Sequence, residues 1–545
     1  MQLSKAPPVG KENAPQVGAE RVDNQNPDRD QHESDGLIAV MGAGMNYHLR
    51  PEGNCFRSAM SSKFTKQRKW TTFRRLSMAG LYVDSHFKSP RLTSRRGFAE
   101  ITFHHLAKSP NQPARAGTPD MKVLIFGSGG REHALAWAVG RSKRVTEVVC
   151  APGNGGIADA ARCVPVDLKS LDAMVQLALD EQPGLTIIGP EFPLSLGIVD
   201  ALQQHGLRVF GPTRAAAMLE SSKGFTKRFL QRHAIPTANY AVCTTAEELE
   251  KAVEIFHPPI VVKADGLAAG KGVLICTSRQ TAIEAAQGLF TGALLGEAER
   301  QVVIEEFLEG DEISFLCLSD GTHVAALALA QDHKRIGEGD TGSNTGGMGV
   351  YSTDALLEPA MSEWILRHIA EPTVAGMAQE ETPFVGVLYL GLMMTARGPQ
   401  VLEINARFGD PETQAILVRL ESDLVDSLEA CIDGRLDQTE LRWAQGASAC
   451  VIASSAGYPG NYRTGFAVTG LSSAARVPGA QVFHSGSARI GSQIVTAGGR
   501  VLGVTAAATS LEGALDRAYQ AMAEIEFEGM YYRRDIGHRA TGKQR

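Results

Sequence analysis

The segment VLEINARFGDPETQ, residues 401–414, sets Glu403, Asn405 and Arg407 at alternate positions. On a strand all three side chains leave one face, because successive residues point to opposite sides of a sheet. That face collects a carboxylate, an amide oxygen and a guanidinium. Oxygen ligands of this kind suit Mg²⁺, which takes only one or two protein carboxylates beside substrate phosphates and water. The guanidinium could stabilise charge developing on a transferring phosphoryl or acyl group. The plainer alternative is an exposed edge strand on which Arg407 pairs with Glu403.

Four further stretches place charged groups at glycine turns. In GSGGREHA, residues 127–134, Gly129 and Gly130 precede Arg131 between an apolar run and a helical one. Such a turn lets backbone N–H groups face an anion at a helix N-terminus. The spacing is not the G-x-G-x-x-G of dinucleotide folds, and no acidic residue follows at the ribose-reading distance. In VVKADGLAAGKGV, residues 261–273, Lys263 ends an apolar run, a loop with Gly266 and Gly270 follows, and Lys271 closes it. This is the pattern of a flap whose backbone donors and cationic ends cover polyphosphate. The order G-x-x-x-x-G-K-[ST] fails, so it is not a Walker loop.

In VIEEFLEGDEIS, residues 303–314, Glu305, Glu306, Phe307 and Leu308 end a strand and Glu312 follows. The main chain of such a hinge can read an adenine edge while carboxylates take amino and ribose groups. A strand end with a solvated acidic turn is the plain alternative. The stretch QDHKRIGEGDTGSNTGGMGVYS, residues 331–352, shows neither a helical nor a strand period. It carries the charges Asp332 to Arg335 and then Gly342, Gly346, Gly347 and Gly349. Loops this long and glycine-rich are functional or disordered, and the flanking apolar runs favour function.

These groups need elements to hold them. From Met121 onward, apolar runs at 123–126, 147–150, 186–188 and 208–210 alternate with helical stretches at 133–139, 171–179 and 198–205. That alternation predicts a parallel sheet with helices on its faces. Ligands in such sheets sit at the carboxyl ends of the strands, where Gly127, Gly189 and Gly211 fall. The central stretch mixes helices with strand-like pieces at 260–263, 302–306, 314–318, 323–330, 387–394 and 401–405. The remainder reads as another α/β unit, with strands at 447–452 and 500–505 and a helix over 511–522. The implied division is a poorly structured extension over 1–120, an N-terminal α/β substrate domain over 121–222, a central region over 223–447 and a C-terminal α/β domain over 448–545.

The 545 residues carry a net charge of -6, with 43% hydrophobic and 21% charged residues. This is the balance of a globular protein of three or four domains. Nothing in it favours nucleic acid or an anionic membrane, and no apolar run approaches the ~20 residues of a membrane span. The 8 cysteines stand singly, without the spacing of a zinc or redox site, which predicts reduced thiols. Residues 1–35 are polar and mildly acidic, and 36–119 are basic without a period. Such a segment does not bury enough apolar surface to offset chain entropy. It reads as a mis-called start, a poorly ordered tail or a targeting peptide, and the acidic opening argues against the last.

With the five stretches in this order, the chain closely resembles the ATP-grasp ligases and, within them, the phosphoribosylamine–glycine ligases, also called glycinamide ribonucleotide synthetases. The segments GREHALAW, GPTRAAAMLESSKGFTK, KADGLAAGKGV, QDHKR, NTGGMG, EINARFGDPETQ and AGYPGNYRTG carry the resemblance, which runs from Met121 to about Arg539. It implies an α/β multi-domain ATP-grasp ligase: an N-terminal parallel-sheet (Rossmann-like) domain, a central two-lobed ATP-grasp region with a flap subdomain at about 240–310, and a C-terminal α/β domain. The implied reaction joins glycine to 5-phosphoribosylamine through a glycyl phosphate, giving glycinamide ribonucleotide, ADP and phosphate in de novo purine biosynthesis.

Carried over residue by residue, the resemblance implies that Lys223 and Lys263 contact phosphates under the loop containing Gly266, Gly270 and Lys271. Glu305 takes the adenine amino group, the main chain of Glu306, Phe307 and Leu308 reads the ring, and Glu312 meets the ribose. Glu403 and Asn405 hold Mg²⁺ or Mn²⁺, and Arg407 is the transition-state arginine. Asp332 and the loop with Asn344, Thr345, Gly346, Gly347 and Met348 help hold glycine or its acyl phosphate, with Asp410 among the substrate contacts. Gly129, Gly130, Arg131, Asn154, Gly189, Pro190 and Glu191 bind phosphoribosylamine. One departure is Gly391, which stands where many ATP-grasp members carry a second metal-binding carboxylate. The implied partners are these small molecules, with no nucleic acid and no membrane, for a cytoplasmic monomer. The alternative is another ATP-grasp carboxylate–amine ligase; a nucleotide-binding regulatory protein or a Rossmann dehydrogenase would be a different class.

Overall fold

The computed structural model describes residues 120–268, 272–296 and 298–542. The expectations for residues 1–119, for Gly270 and for Lys271 lie outside the described residues.

The apolar runs after Met121 form a five-stranded parallel sheet in the order Arg162–Cys163, Val145–Pro152, Met121–Gly127, Leu185–Ile188, Val209–Phe210. Residues 123–126 are buried on both faces, as continuous rather than alternating apolar runs require. The edge strand Arg162–Cys163, not expected from the sequence, is only 2 residues long and leaves no periodic signal there. Helix Gly130–Val139 leaves the first strand through a turn that only glycine permits. Gly127 has φ +135°, and a Cβ there or at Gly189 would lie 2.4 Å or 2.0 Å from the Glu132 side chain. Glu132 thus packs into the floor of the turn, and its carboxylate accepts the Gly129 N–H at 2.6 Å.

The central region holds two four-stranded sheets. The smaller runs Tyr240–Cys243, Val302–Glu306, Ile260–Ala264, Val273–Cys276 and is antiparallel throughout. Helices Ala246–Ile255 and Arg279–Phe290 bury their apolar faces on it, around Leu249, Val253, Ala282, Ala286 and Leu289. The larger sheet runs Val324–Ala326, Asp311–Asp320, Val385–Thr395, Gly398–Asn405. The strand expected over 323–330 is confined to Val324–Ala326, because the chain then turns away into another sheet.

That other sheet corrects the reading of 331–352 as a stretch without strands. Gln331–Asp332 and Gly349–Thr353 are the first two strands of a five-stranded antiparallel sheet completed by Ala447–Ser454, Arg500–Ala508 and Ala480–His484. Between them, Arg335–Gly337 and Thr341–Asn344 pair as a hairpin. The glycines that turn the chain here also interrupt the alternation by which strands are recognised. Helix Leu511–Ala523 covers this sheet, as expected. Ser510 caps it, accepting the Gly513 N–H at 3.2 Å, and Leu511, Ala514, Leu515, Ala518 and Met522 face the core. Among the described residues no helix is long and apolar enough to cross a membrane.

Candidate active site

Between the two central sheets, the carboxyl end of the parallel sheet and the C-terminal sheet lies a cleft of about 900 Å³. Of the residues singled out in the sequence, Arg131, Pro190, Glu191, Lys223, Lys263, Glu305, Glu306, Phe307, Leu308, Glu312, Asp332, Asn344, Thr345, Gly346, Glu403, Asn405, Arg407 and Asp410 line it. Gly129, Gly130, Asn154, Gly189, Gly266, Gly347 and Met348 are not among the lining residues. Met348 is fully buried, its N–H bonded to the His333 carbonyl at 2.9 Å. Asn154 spends its side chain on the protein itself. Its Nδ2 donates to the Ser128 and His484 carbonyls at 2.8 Å each, and its Oδ1 accepts the Gly156 and Ile157 N–H groups at 2.9 Å each.

At one end of the cleft Glu305 is buried between two lysines. Lys263 reaches its Oε1 and Lys227 its Oε2, both at 3.0 Å. Adjacent strands supply Glu305 and Lys263, and helix Lys223–Arg232 supplies Lys227. Burial lowers the Lys227 pKa to about 8 despite the carboxylate beside it. Lys227 is a cleft residue that the sequence reading missed, although it lies within the quoted GPTRAAAMLESSKGFTK segment. Lys223, at the start of the same helix, donates to the Gly266 carbonyl at 3.1 Å. Burial lowers its pKa also.

Glu403 and Asn405 lie on strand Gly398–Asn405, and Arg407 follows just beyond its end. The pairing of Arg407 with Glu403 does not occur. Arg407 bonds Glu191 at 3.1 Å and Glu220 at 2.9 Å. Burial opposes its charge, but these two carboxylates raise its pKa above the usual arginine value. Glu191 pays for burial in turn and is nevertheless held at about 2 by Arg407 and Arg131. Glu403 faces Lys334 at 3.3 Å, and Lys334 also pairs with Glu312. The Lys334 charge, against the cost of burial, holds the Glu403 pKa at about 2, with Lys263 and Lys223 adding to it. An ionised carboxylate and an amide oxygen, side by side and surrounded by lysines, form a donor set that fits a hard divalent ion shared with phosphates. Among the described residues there is no group of three or more His, Cys, Asp or Glu that could hold a metal without such help. Gly391 pairs with Glu403 across the ladder, and a Cβ on it would sit 3.1 Å from the Glu403 Cγ.

Asp332 lines the cleft where the strands of two sheets meet. Burial, and then Glu412 nearby, push its pKa well above the usual carboxylate range. Glu412 is itself buried and accepts hydrogen bonds from Tyr389 at 2.7 Å and Ser314 at 3.0 Å. Lys334 and Arg500 nearby oppose the rise at Asp332, and Asp332 Oδ1 accepts the His333 N–H at 2.8 Å; a substrate ammonium placed here would favour its ionised form.

Comparison with known families and proteins agrees with this geometry. The family descriptions "Phosphoribosylglycinamide synthetase, N domain", "ATP-grasp (A) domain" and "C domain" match residues 121–220, 221–413 and 448–539. A phosphoribosylamine–glycine ligase of Xanthomonas campestris is 49% identical over 430 residues, covering 78% of this chain and 99% of that protein. One of Vibrio cholerae is 48% identical over 427 residues, covering 78% and 99%. The crystal structure of the Thermotoga maritima phosphoribosylamine–glycine ligase superposes with a TM-score of 0.68 at 34% identity, covering 76% of this chain and 100% of that one. A biotin carboxylase domain of Hydrogenobacter thermophilus, at 18% identity and a TM-score of 0.59, shares the fold. The chain belongs to the phosphoribosylamine–glycine ligase family, whose central domain is an ATP-grasp domain.

Proposed function

We propose that the cleft activates glycine as glycyl phosphate at the expense of ATP and passes it to the amine of 5-phosphoribosylamine, giving glycinamide ribonucleotide for purine biosynthesis. The observation that carries this reading is the convergence of Lys263, Glu305, Glu403, Asn405, Arg407 and Asp332 on one cleft. A carboxylate is a poor acyl donor, and phosphorylation supplies its leaving group. The remaining tasks are alignment and charge neutralisation.

In this reading the adenine lies along the main chain of Glu306, Phe307 and Leu308, with Glu312 toward the ribose. Lys227 joins Lys223 and Lys263 at the phosphates. The resemblance assigns Gly266, Gly270 and Lys271 to ATP, and Gly266, whose carbonyl accepts from Lys223, stands beside these lysines. Mg²⁺ or Mn²⁺, held by Glu403 and Asn405, would neutralise phosphate charge when bound. Arg407 stabilises the charge that develops during transfer, its orientation fixed by Glu191 and Glu220. Asp332 takes the glycine ammonium, helped by the loop from Asn344 to Met348. The turn of Gly129, Gly130 and Arg131, together with Gly189, Pro190, Glu191 and Asp410, receives phosphoribosylamine, and Asn154 shapes that turn from behind through Ser128.

The division into residues 121–222, 223–447 and 448–545 fits this distribution of tasks, for a monomer acting in the cytoplasm. The test is ADP release with ATP, Mg²⁺, glycine and freshly made phosphoribosylamine. Release requiring both substrates supports the reading. Turnover with another amino or carboxylic acid and indifference to glycine would make the chain a different carboxylate–amine ligase.

A further inference from the structure

The C-terminal sheet sends one charged side chain into the cleft that no sequence motif announced. Arg500 opens strand Arg500–Ala508 and lines the cleft. Its guanidinium donates to the Gly346 carbonyl and, at 2.7 Å, to the Asp410 carbonyl. The Asp410 carboxylate lies 3.2 Å from its other nitrogen. One planar fork thus joins the glycine-rich loop at 346–347 to the turn that carries Asp410, a geometry that lysine does not reproduce.

The two segments so joined belong to different parts of the site. Gly347 packs against Asp332, with room for no side chain: a Cβ there would lie 2.7 Å from Asp332 Oδ1. The Asp410 carboxylate, bonded also to Gln414 at 2.7 Å, borders Gly129, whose Cβ would lie 3.2 Å from Asp410 Oδ2. A second group from the C-terminal region holds the same loop. The Gly346 N–H donates to the Tyr458 hydroxyl at 3.1 Å. Tyr458 belongs to the AGYPGNYRTG segment and fits because position 499 is glycine, whose Cβ would lie 2.3 Å from the Tyr458 ring.

We infer that Arg500 is a positioning residue for the ligation, and that Tyr458 assists it: together they hold the 346–347 loop at the distance from the phosphoribosylamine turn that seats glycine. The inference rests on the assignment of Asp332 and this loop to glycine. Nucleotide groups are held by other elements, so the nucleotide end should not sense the change.

The experiment is steady-state kinetics of the full chain with Arg500→Gln, Arg500→Lys and Tyr458→Phe, varying ATP and glycine separately. Arg500→Gln should raise KM for glycine about tenfold or more while KM for ATP stays within about twofold. Arg500→Lys should recover part of the loss, and Tyr458→Phe should shift KM for glycine in the same direction by less. An unchanged KM for glycine, or a parallel rise in both KM values, overturns the inference. Should the Arg500 variants not fold, Tyr458→Phe decides alone: an unchanged KM for glycine overturns it. Glycine-dependent ADP release by the unsubstituted chain is measured first, so that failure of the functional reading is seen apart from failure at Arg500.

Discussion

Lys227 and Lys263 each approach the Glu305 carboxylate to 3.0 Å, and all three side chains are buried. Two cations share one anion, which leaves a positive charge in the cleft for polyphosphate. Removing the anion and removing one cation therefore differ in consequence. Glu305→Gln leaves two uncompensated buried lysines and should destabilise by about 3 kcal/mol or more. Lys227→Met leaves a balanced pair and should destabilise less, while raising KM for ATP. A non-hydrolysable ATP analogue should raise the melting temperature of both variants less than that of the unsubstituted chain, because each has lost a cleft group assigned to the nucleotide. Equal melting temperatures for the two variants, with and without the analogue, would contradict this account.

Glu403→Ala should lower kcat/KM by at least ~100-fold, equivalent to ~2.7 kcal/mol of transition-state stabilisation. The same change frees Lys334 from one of its two carboxylates but leaves Glu312 in place. A loss of tenfold or less at saturating Mg²⁺ would remove Glu403 from the metal role.

Stability should fall between about pH 6.5 and pH 4, with Asp332 and Glu220, whose carboxyls burial raises, opposing the fall in part. Burial lowers His133 and His333 to about 3 and His484 to about 4. Geometry supplies the reason in two cases. His133 Nδ1 accepts the His484 N–H at 2.9 Å, and His333 Nε2 accepts the Gly537 N–H at 3.2 Å. As pH drops through the unfolded value near 6.5, the unfolded chain takes up protons that the folded chain refuses. The stability is thus complete above that pH and drains away toward the folded values. Three such groups give a slope of up to about 4 kcal/mol per pH unit. Glu191 and Asp340, both held at about 2, contribute only below their ordinary range. Melting temperatures from pH 7.5 to 5 should show the fall, and His133→Asn should make it shallower. A flat profile over that range would refute it.

What was legible in the sequence followed from how each residue is specified. Glu403 and Asn405 alternate on a strand whose period is 2, so their shared face could be read directly. The same reasoning extended too far at Arg407, which lies past the strand end and is placed by Glu191 and Glu220 instead. Lys227, Lys334 and Arg500 were not singled out because each acquires its partner across long sequence distances: Glu305, Glu403 and Gly346. No local spacing encodes such pairs. The strands at 331–353 were hidden because their glycines, required for turns and close approach, carry no side chain by which alternation is seen.

Asn154 separates two kinds of contribution to a site. All four hydrogen-bonding positions of its side chain are used within the protein, joining the Ser128 turn to His484 on the C-terminal sheet. Asn154→Ala would orphan two backbone N–H groups and two carbonyls, each costing about 1 kcal/mol or more where water does not reach. The change should therefore lower the melting temperature clearly, and relax the turn at Gly129 without removing a group from the cleft. KM for phosphoribosylamine should rise only several-fold, while KM for ATP and for glycine stay near their original values. A variant that melts normally but has lost most of its affinity for phosphoribosylamine would mean that the amide leaves its internal partners to meet the substrate.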